Sequence, residues 1–102
     1  MSQVAIWAKI PVKPGKRDEA IAAMQAQIDH VTKSEQGTIY YILNTDPKDE
    51  ESIYFYEVYA DQAAVEAHGT SETMKAMGPA LAPFMAGRPE LKFLAPVQGK
   101  GL

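Results

Sequence analysis

A chain of 102 residues that is 46% hydrophobic and 23% charged has enough length for one modest core and too little for two, so one domain spanning residues 1–102 is expected. Its formal charge of −3, with 10 basic residues scattered against 13 acidic ones, argues against nucleic acid, which demands clustered Lys and Arg. With no cysteine, disulfides, thiolate metal ligands and a cysteine nucleophile are all excluded.

Val4, Ile6, Ala8, Ile10 and Val12 alternate with Lys9, Pro11 and Lys13, the period-two signature of a strand with one buried face. The opening residues carry no basic n-region and no small-residue cleavage site, so a cytoplasmic protein is expected. No apolar run approaches the ~20 residues of a membrane helix, and no membrane partner is expected. Pro14-Gly15 breaks the first strand. From Lys16 the spacing of Ile21, Met24, Ile28 and Val31 predicts one helix over Lys16 to Ser34, closed by Glu35-Gln36-Gly37 with the glycine in the left-handed conformation. His30 lies off that stripe and is expected in solvent.

Thr38 to Asn44 and Ser52 to Ala60 are rich in β-branched and aromatic residues and read as two strands. The polar stretch Asp46 to Glu51, containing Pro47, joins them as an antiparallel hairpin and reads as a solvated loop instead of an ion site. Asp61 is an N-cap for a short helix over Gln62 to His68, which Gly69 ends. Ser71 caps a second helical piece with Met74, Met77, Leu81 and Phe84 on one stripe, which Gly78-Pro79 and Pro83 should kink or divide. Leu91, Phe93 and Ala95 form a last strand.

The order is βαββαβ, an α+β ferredoxin-like arrangement: a four-stranded antiparallel sheet with helices on one face only. The third strand supplies Phe55 and Tyr59 to one face and Tyr54 and Tyr56 to the other. So much apolar surface on a bare sheet calls for a partner, and a homodimer through the open sheet face satisfies both copies with one patch.

Several segments resemble the antibiotic biosynthesis monooxygenase family. They are Val12 to Gly15, Glu35 to Tyr40, Glu57 to His68, and Ser71 to Lys75, in the family's order. The resemblance implies a dimeric α+β barrel. It also implies an activity drawn from cofactor-independent oxygenases of anthrones and reduced quinones, or from haem-degrading enzymes. The haem-degrading branch has an Asn on the first strand, a Trp on the second helical segment and a haem-ligating His after it. Ile6, His68 and about Gly78 occupy those places here, which disfavours haem breakdown. The quinol-oxidising branch often has a second His where this chain has Thr73.

His68 shares a helix face with Ala64 and Val65, so its imidazole should point inward. It is a candidate catalytic base; the alternative is a core histidine bonded to a strand carbonyl or to Glu57. Glu57 lies mid-strand among aromatics, where a carboxylate needs a partner. It either makes an ion pair or hydrogen bond, across the dimer or to a backbone amide, or it orients His68 or the substrate. Tyr40, Tyr54 and Tyr59 are candidates to stabilise a bound anion. Trp7 packs in the dimer interface or stacks on a planar ligand. Met74, Met77 and Phe84 are core residues or the wall of a slot for a flat aromatic guest.

No metal-ligand pattern, phosphate loop or dinucleotide fingerprint is present, so no cofactor is expected. The expected partners are a second copy, a small aromatic substrate and O₂. Three functions fit these residues. The first is a cofactor-free monooxygenase acting on a planar phenol, anthrone or quinol. The second is a non-catalytic ligand-binding or stress-associated dimer on the same barrel, and the third an isomerase or decarboxylase using the same base without oxygen.

Overall fold

The computed structural model describes residues 2–102. Its elements are β1 (Val4–Pro11), α1 (Arg17–Ala23), α2 (Gln25–Ser34), β2 (Thr38–Asp46), β3 (Asp49–Tyr59), α3 (Gln62–Gly69), α4 (Glu72–Leu81), a 3₁₀ turn (Ala82–Phe84) and β4 (Glu90–Leu94). The four strands pair antiparallel in the order β2-β3-β1-β4. With every helix on one face, this is the ferredoxin-like α+β fold that the order of elements implies.

Alternation along the two central strands decides which side chains meet the helices. Ile6, Ala8 and Ile10 stand opposite Glu57, Phe55 and Ile53. These residues, Glu57 and Ile6 excepted, join Val12, Ala20, Met24 and Leu81 in the core. Trp7, Tyr54, Tyr56 and Leu94 fall on the other face, where Trp7 packs on Tyr54 at 5.5 Å and Tyr40 stacks on Tyr56 at 6.2 Å. Tyr40, Ile42 and Tyr56 each remain nearly half-exposed there. No helix is long and apolar enough to cross a membrane among the described residues.

The structure departs from the sequence reading at five places. The single helix expected over Lys16 to Ser34 is two, because the chain tightens at Met24. The Met24 amide is shared between the carbonyls of Ala20 (3.2 Å) and Ile21 (3.0 Å), and its side chain is fully buried. The helix does not close on a left-handed Gly37, since the only positive-φ glycines are Gly15, Gly99 and Gly101 among the described residues. Gly37 is required for close approach instead: a Cβ there would lie 2.6 Å from the Ala64 Cβ.

The hairpin connection shrinks to Pro47-Lys48. Asp46 Oδ1 accepts from the Lys48 amide at 2.9 Å, and Asp49 accepts from the Glu51 amide and the Ser52 hydroxyl. The turn thus holds its acids by local hydrogen bonds. Gly78-Pro79 stays within α4, because the carbonyl that Pro79 leaves free belongs to exposed Lys75, where water can take it. The last strand stops at Leu94, short of Ala95. The two caps are as expected, Asp61 accepting from the Ala64 amide at 2.9 Å and Ser71 from the Met74 amide at 3.2 Å.

Candidate active site

Between the sheet and α4 lies a cavity of about 320 Å³. Its floor is strand residues of the helix-facing parity, Ala8, Phe55, Glu57 and Tyr41, and its roof is Met74 and Met77 of α4. Met85, Pro89 and Leu91 close one side. Methionines suit such a roof, since an unbranched thioether adapts to the shape of what it covers. Glu57 is the one charged residue lining this space among the described residues.

The centre of the sheet fixes Glu57 by pairing it with Ile6 on one side and Tyr41 on the other. Its side chain is 7% exposed, and its Oε1 accepts from the hydroxyl of fully buried Tyr59 at 2.5 Å. Burial raises the Glu57 carboxyl above its ordinary value, while the Tyr59 donor and the charge of His68 oppose the rise. Burial also drives the Tyr41 hydroxyl far up, with the Glu57 carboxylate adding to it. Tyr59 is pushed up by burial and then by Glu57. Both phenols therefore stay protonated, and Tyr59 serves as the donor to Glu57.

His68 projects from α3, is 5% exposed, and lies against Tyr41 (5.0 Å) and Tyr59 (5.3 Å). Its Nδ1 meets Glu35 Oε1 at 3.0 Å. Neither of the partners the sequence offered, a strand carbonyl or Glu57, takes that nitrogen. Glu35 ends α2 and also accepts from the Thr38 hydroxyl at 2.8 Å. His30, expected in solvent, stands 3.4 Å from the second Glu35 oxygen and is about one-third exposed.

Of the residues singled out by sequence, Glu57, Met74 and Met77 come together at the cavity. Tyr59 and His68 sit directly behind its wall. Phe84 lies in the 3₁₀ turn against the core, and Met85 reaches the cavity in its stead. Trp7, Tyr40 and Tyr54 are on the opposite face of the sheet, because their strand parity turns them away from the helices. Tyr41 and Glu35 were not singled out, nor was Gln27, which is buried on α2 with its Nε2 3.7 Å from the Met74 sulfur. No group of three His, Cys, Asp or Glu side chains could hold a metal ion among the described residues.

The likeness to known proteins agrees with this architecture. A candidate antibiotic biosynthesis monooxygenase of Caulobacter crescentus superposes with a TM-score of 0.90 at 29% identity, covering 95% of this chain and 92% of that one. Another from Chloroflexus aurantiacus gives 0.80 at 26% identity over 98% of both chains. An uncharacterised protein of Synechocystis is 35% identical over 65 residues, which is 64% of this chain and 44% of that protein. The matched stretch thus spans less than half of that relative's length. Residues 3–79 match the family described as antibiotic biosynthesis monooxygenase, and the chain belongs to that family.

Proposed function

We propose that this chain oxygenates a planar phenol, anthrone or hydroquinone with O₂ and no cofactor, as a homodimer joined through the open sheet face. The observation that carries the reading is the single carboxylate, Glu57, in the wall of an otherwise uncharged, mostly apolar cavity. A volume of about 320 Å³ lies at the low end of the roughly 300–1,000 Å³ of small-molecule sites and suits two or three fused rings.

A carboxylate with a raised proton affinity is better matched to neutral pH than an ordinary one, and is a suitable base for an acidic C–H or O–H. Glu57 takes the substrate proton. The anion that forms gives one electron to O₂, and the radical pair combines into a C–O–O bond. Cleavage of the O–O bond then leaves one oxygen on the product carbon and the other in water, so R₂CH₂ and O₂ become R₂C=O and H₂O. The substrate supplies the electrons that a flavin would otherwise provide. Tyr41, protonated and on the cavity wall, donates to the developing oxyanion. His68 stands behind the base and acts on its charge. Trp7, Tyr40, Tyr54 and Tyr56 serve the contact with the second copy.

The test is O₂ uptake by the purified protein with a panel of anthrones and reduced quinones, autoxidation subtracted, comparing wild type with Glu57→Gln and His68→Ala. Loss of the base should lower uptake by about 10²–10⁴-fold. Binding of the panel without uptake above autoxidation would favour a non-catalytic ligand-binding dimer. Turnover without oxygen would point to an isomerase or decarboxylase.

A further inference from the structure

Gln27 is a buried amide set against the methionine roof of the cavity, and the proposed reaction leaves it unused. It projects from α2, is 1% exposed, and its Nε2 donates to the Met74 sulfur at 3.7 Å. Its Oε1 has no hydrogen-bond partner among the described residues. Buried polar side chains normally find full-strength partners, and a thioether is among the weakest acceptors a protein offers. An apolar side chain of the same size would fill the place without the cost of burying a poorly paired amide. The glutamine therefore calls for a stronger acceptor than the sulfur it now meets.

The sulfur can become that acceptor. Three of the chain's five methionines, Met74, Met77 and Met85, line the cavity and are partly exposed, while Met24 is fully buried in the core. A peroxide in the cavity therefore meets thioethers before any other oxidisable sulfur. Attack of the sulfur lone pair on one peroxide oxygen forms the S–O bond and breaks the O–O bond. Sulfur gives up two electrons, and the departing hydroxide removes the proton left on the new S–OH. A thioether and H₂O₂ thus become a sulfoxide and H₂O. Met74 is the methionine whose sulfur accepts a hydrogen bond among the described residues. Rotation about the last bonds of its unbranched side chain carries a sulfoxide oxygen to the same donor. A crevice of about 90 Å³, lined by Gln27, Thr73 and Met77, borders the amide and leaves room for the shift that one added oxygen requires.

We propose that Met74 is a peroxide-trapping site, oxidised to the sulfoxide in the folded chain, and that Gln27 receives the sulfoxide oxygen. Oxidation turns an apolar side chain into a polar one, which by itself would place an unpaired dipole in the roof of an apolar cavity. The Gln27 amide pairs that dipole, so the peroxide is consumed without loss of the fold. The purpose of the trap rests on the oxygenase reading, in which a peroxide forms in this same cavity. Its chemistry does not, because hydrogen peroxide from outside serves equally as the oxidant.

The test uses the chain carrying Met77→Leu and Met85→Leu, which leaves Met74 as the one cavity sulfur. After limited treatment with hydrogen peroxide, peptide mass mapping should find one added oxygen on Met74 while Met24 is unmodified. Oxidation of Met74 no faster than of Met24 would overturn the site. Reduced and oxidised forms are then compared by urea unfolding, each variant against its own reduced form. With Gln27 present, oxidation should move the midpoint by less than about 0.3 M, whereas in Gln27→Leu the unpaired sulfoxide should lower it by about 1 M. An equal loss with and without Gln27 would overturn its role. A second measurement needs no change at Gln27: in nitrogen-15 NMR its side-chain amide protons should move downfield on oxidation and exchange more slowly with water. Unmoved resonances would overturn the pairing even if Gln27→Leu fails to fold. O₂ uptake no faster than autoxidation would remove the internal source of peroxide, and with it the oxygenase reading, while both arms with added peroxide still decide the trap.

Discussion

Tyr59→Phe isolates the one hydrogen bond that makes a buried carboxylate tolerable in the middle of the sheet. The Tyr59 hydroxyl donates to Glu57 at 2.5 Å, and both side chains are out of solvent. Phenylalanine keeps the ring and its packing against His68 and removes only the donor. A hydrogen bond to a charged group contributes about 1.5–3 kcal/mol, and Tyr59 is fully buried, so the position its hydroxyl leaves is closed to bulk water. The variant should therefore lose about 2 kcal/mol where Glu57 is ionised. With a urea m-value of about 1–2 kcal/mol/M, the midpoint falls by about 1–2 M. The pH dependence supplies a second check. Burial gives Glu57 a higher proton affinity in the folded chain than its ordinary value of 4.5. Its contribution to stability is thus fully present below that value and is lost as pH rises through the raised folded value. Removing the donor raises the folded value further. The deficit of Tyr59→Phe must then grow as pH rises through the Glu57 titration and shrink toward pH 4.5. Urea unfolding followed by circular dichroism at pH 7 and at pH 4.5, at one fixed protein concentration, measures both. A deficit that is equal at the two pH values, or below about 0.5 kcal/mol at pH 7, would refute the assignment.

The same linkage predicts that Glu57→Gln, which keeps an acceptor for Tyr59, unfolds at higher urea than wild type at pH 7, with the advantage vanishing toward pH 4.5. It should lose O₂ uptake at the same time, the stability gain and the activity loss arising from one charge. Gly37→Ala forces a methyl to 2.6 Å from the Ala64 Cβ and should cost about 1–3 kcal/mol by urea unfolding. Ala64→Gly in the same chain should recover part of that loss if the collision is its cause. Tyr56→Glu places a charge at the centre of the open face and should convert a dimer to monomers in sedimentation velocity. An unchanged sedimentation coefficient would exclude this face as the interface.

The central strands were legible because period-two alternation in Val4 to Val12 survives any small error in boundaries. The cavity floor was less so, and the reason is a single residue of register. A loop from Asp46 to Glu51 sets Thr45 opposite Ser52, which brings Tyr40 across from Glu57. The actual turn is Pro47-Lys48 with an irregularity beside it, so Thr45 pairs with Ile53 and Tyr41 stands across from Glu57. A one-residue slip exchanges the two faces of a strand, and the adjacent tyrosines of β2 offered no way to notice. Glu35 was hidden for another reason. Its partner His68 lies 33 residues away, and a carboxylate just after a helix stripe is indistinguishable from an ordinary solvated helix end. The one signal available was its place in the family-like segment Glu35 to Tyr40.

The alternation that misled the choice of tyrosine also explains how so short a chain supports two different surfaces. In β3, Ile53, Phe55, Glu57 and Tyr59 face the helices while Tyr54, Tyr56 and Val58 face outward. Neither set can shift without moving the other, because each belongs to the same extended backbone bonded on both edges. Glu57 is held as rigidly as the strand itself, and in the proposed reaction a base so fixed would need no reordering when substrate arrives. The adaptable side chains lie elsewhere, in the methionine roof and along the exposed β4 edge. There Leu91 and Phe93, of helix-facing parity beside Ala8 and Ile6, remain 52% and 62% exposed. Leu91 also lines the cavity, so the space opens toward that edge. On the proposed function, a guest entering there would meet adaptable apolar side chains first and the charged group last, an order that would let apolar burial supply the binding energy before a proton moves.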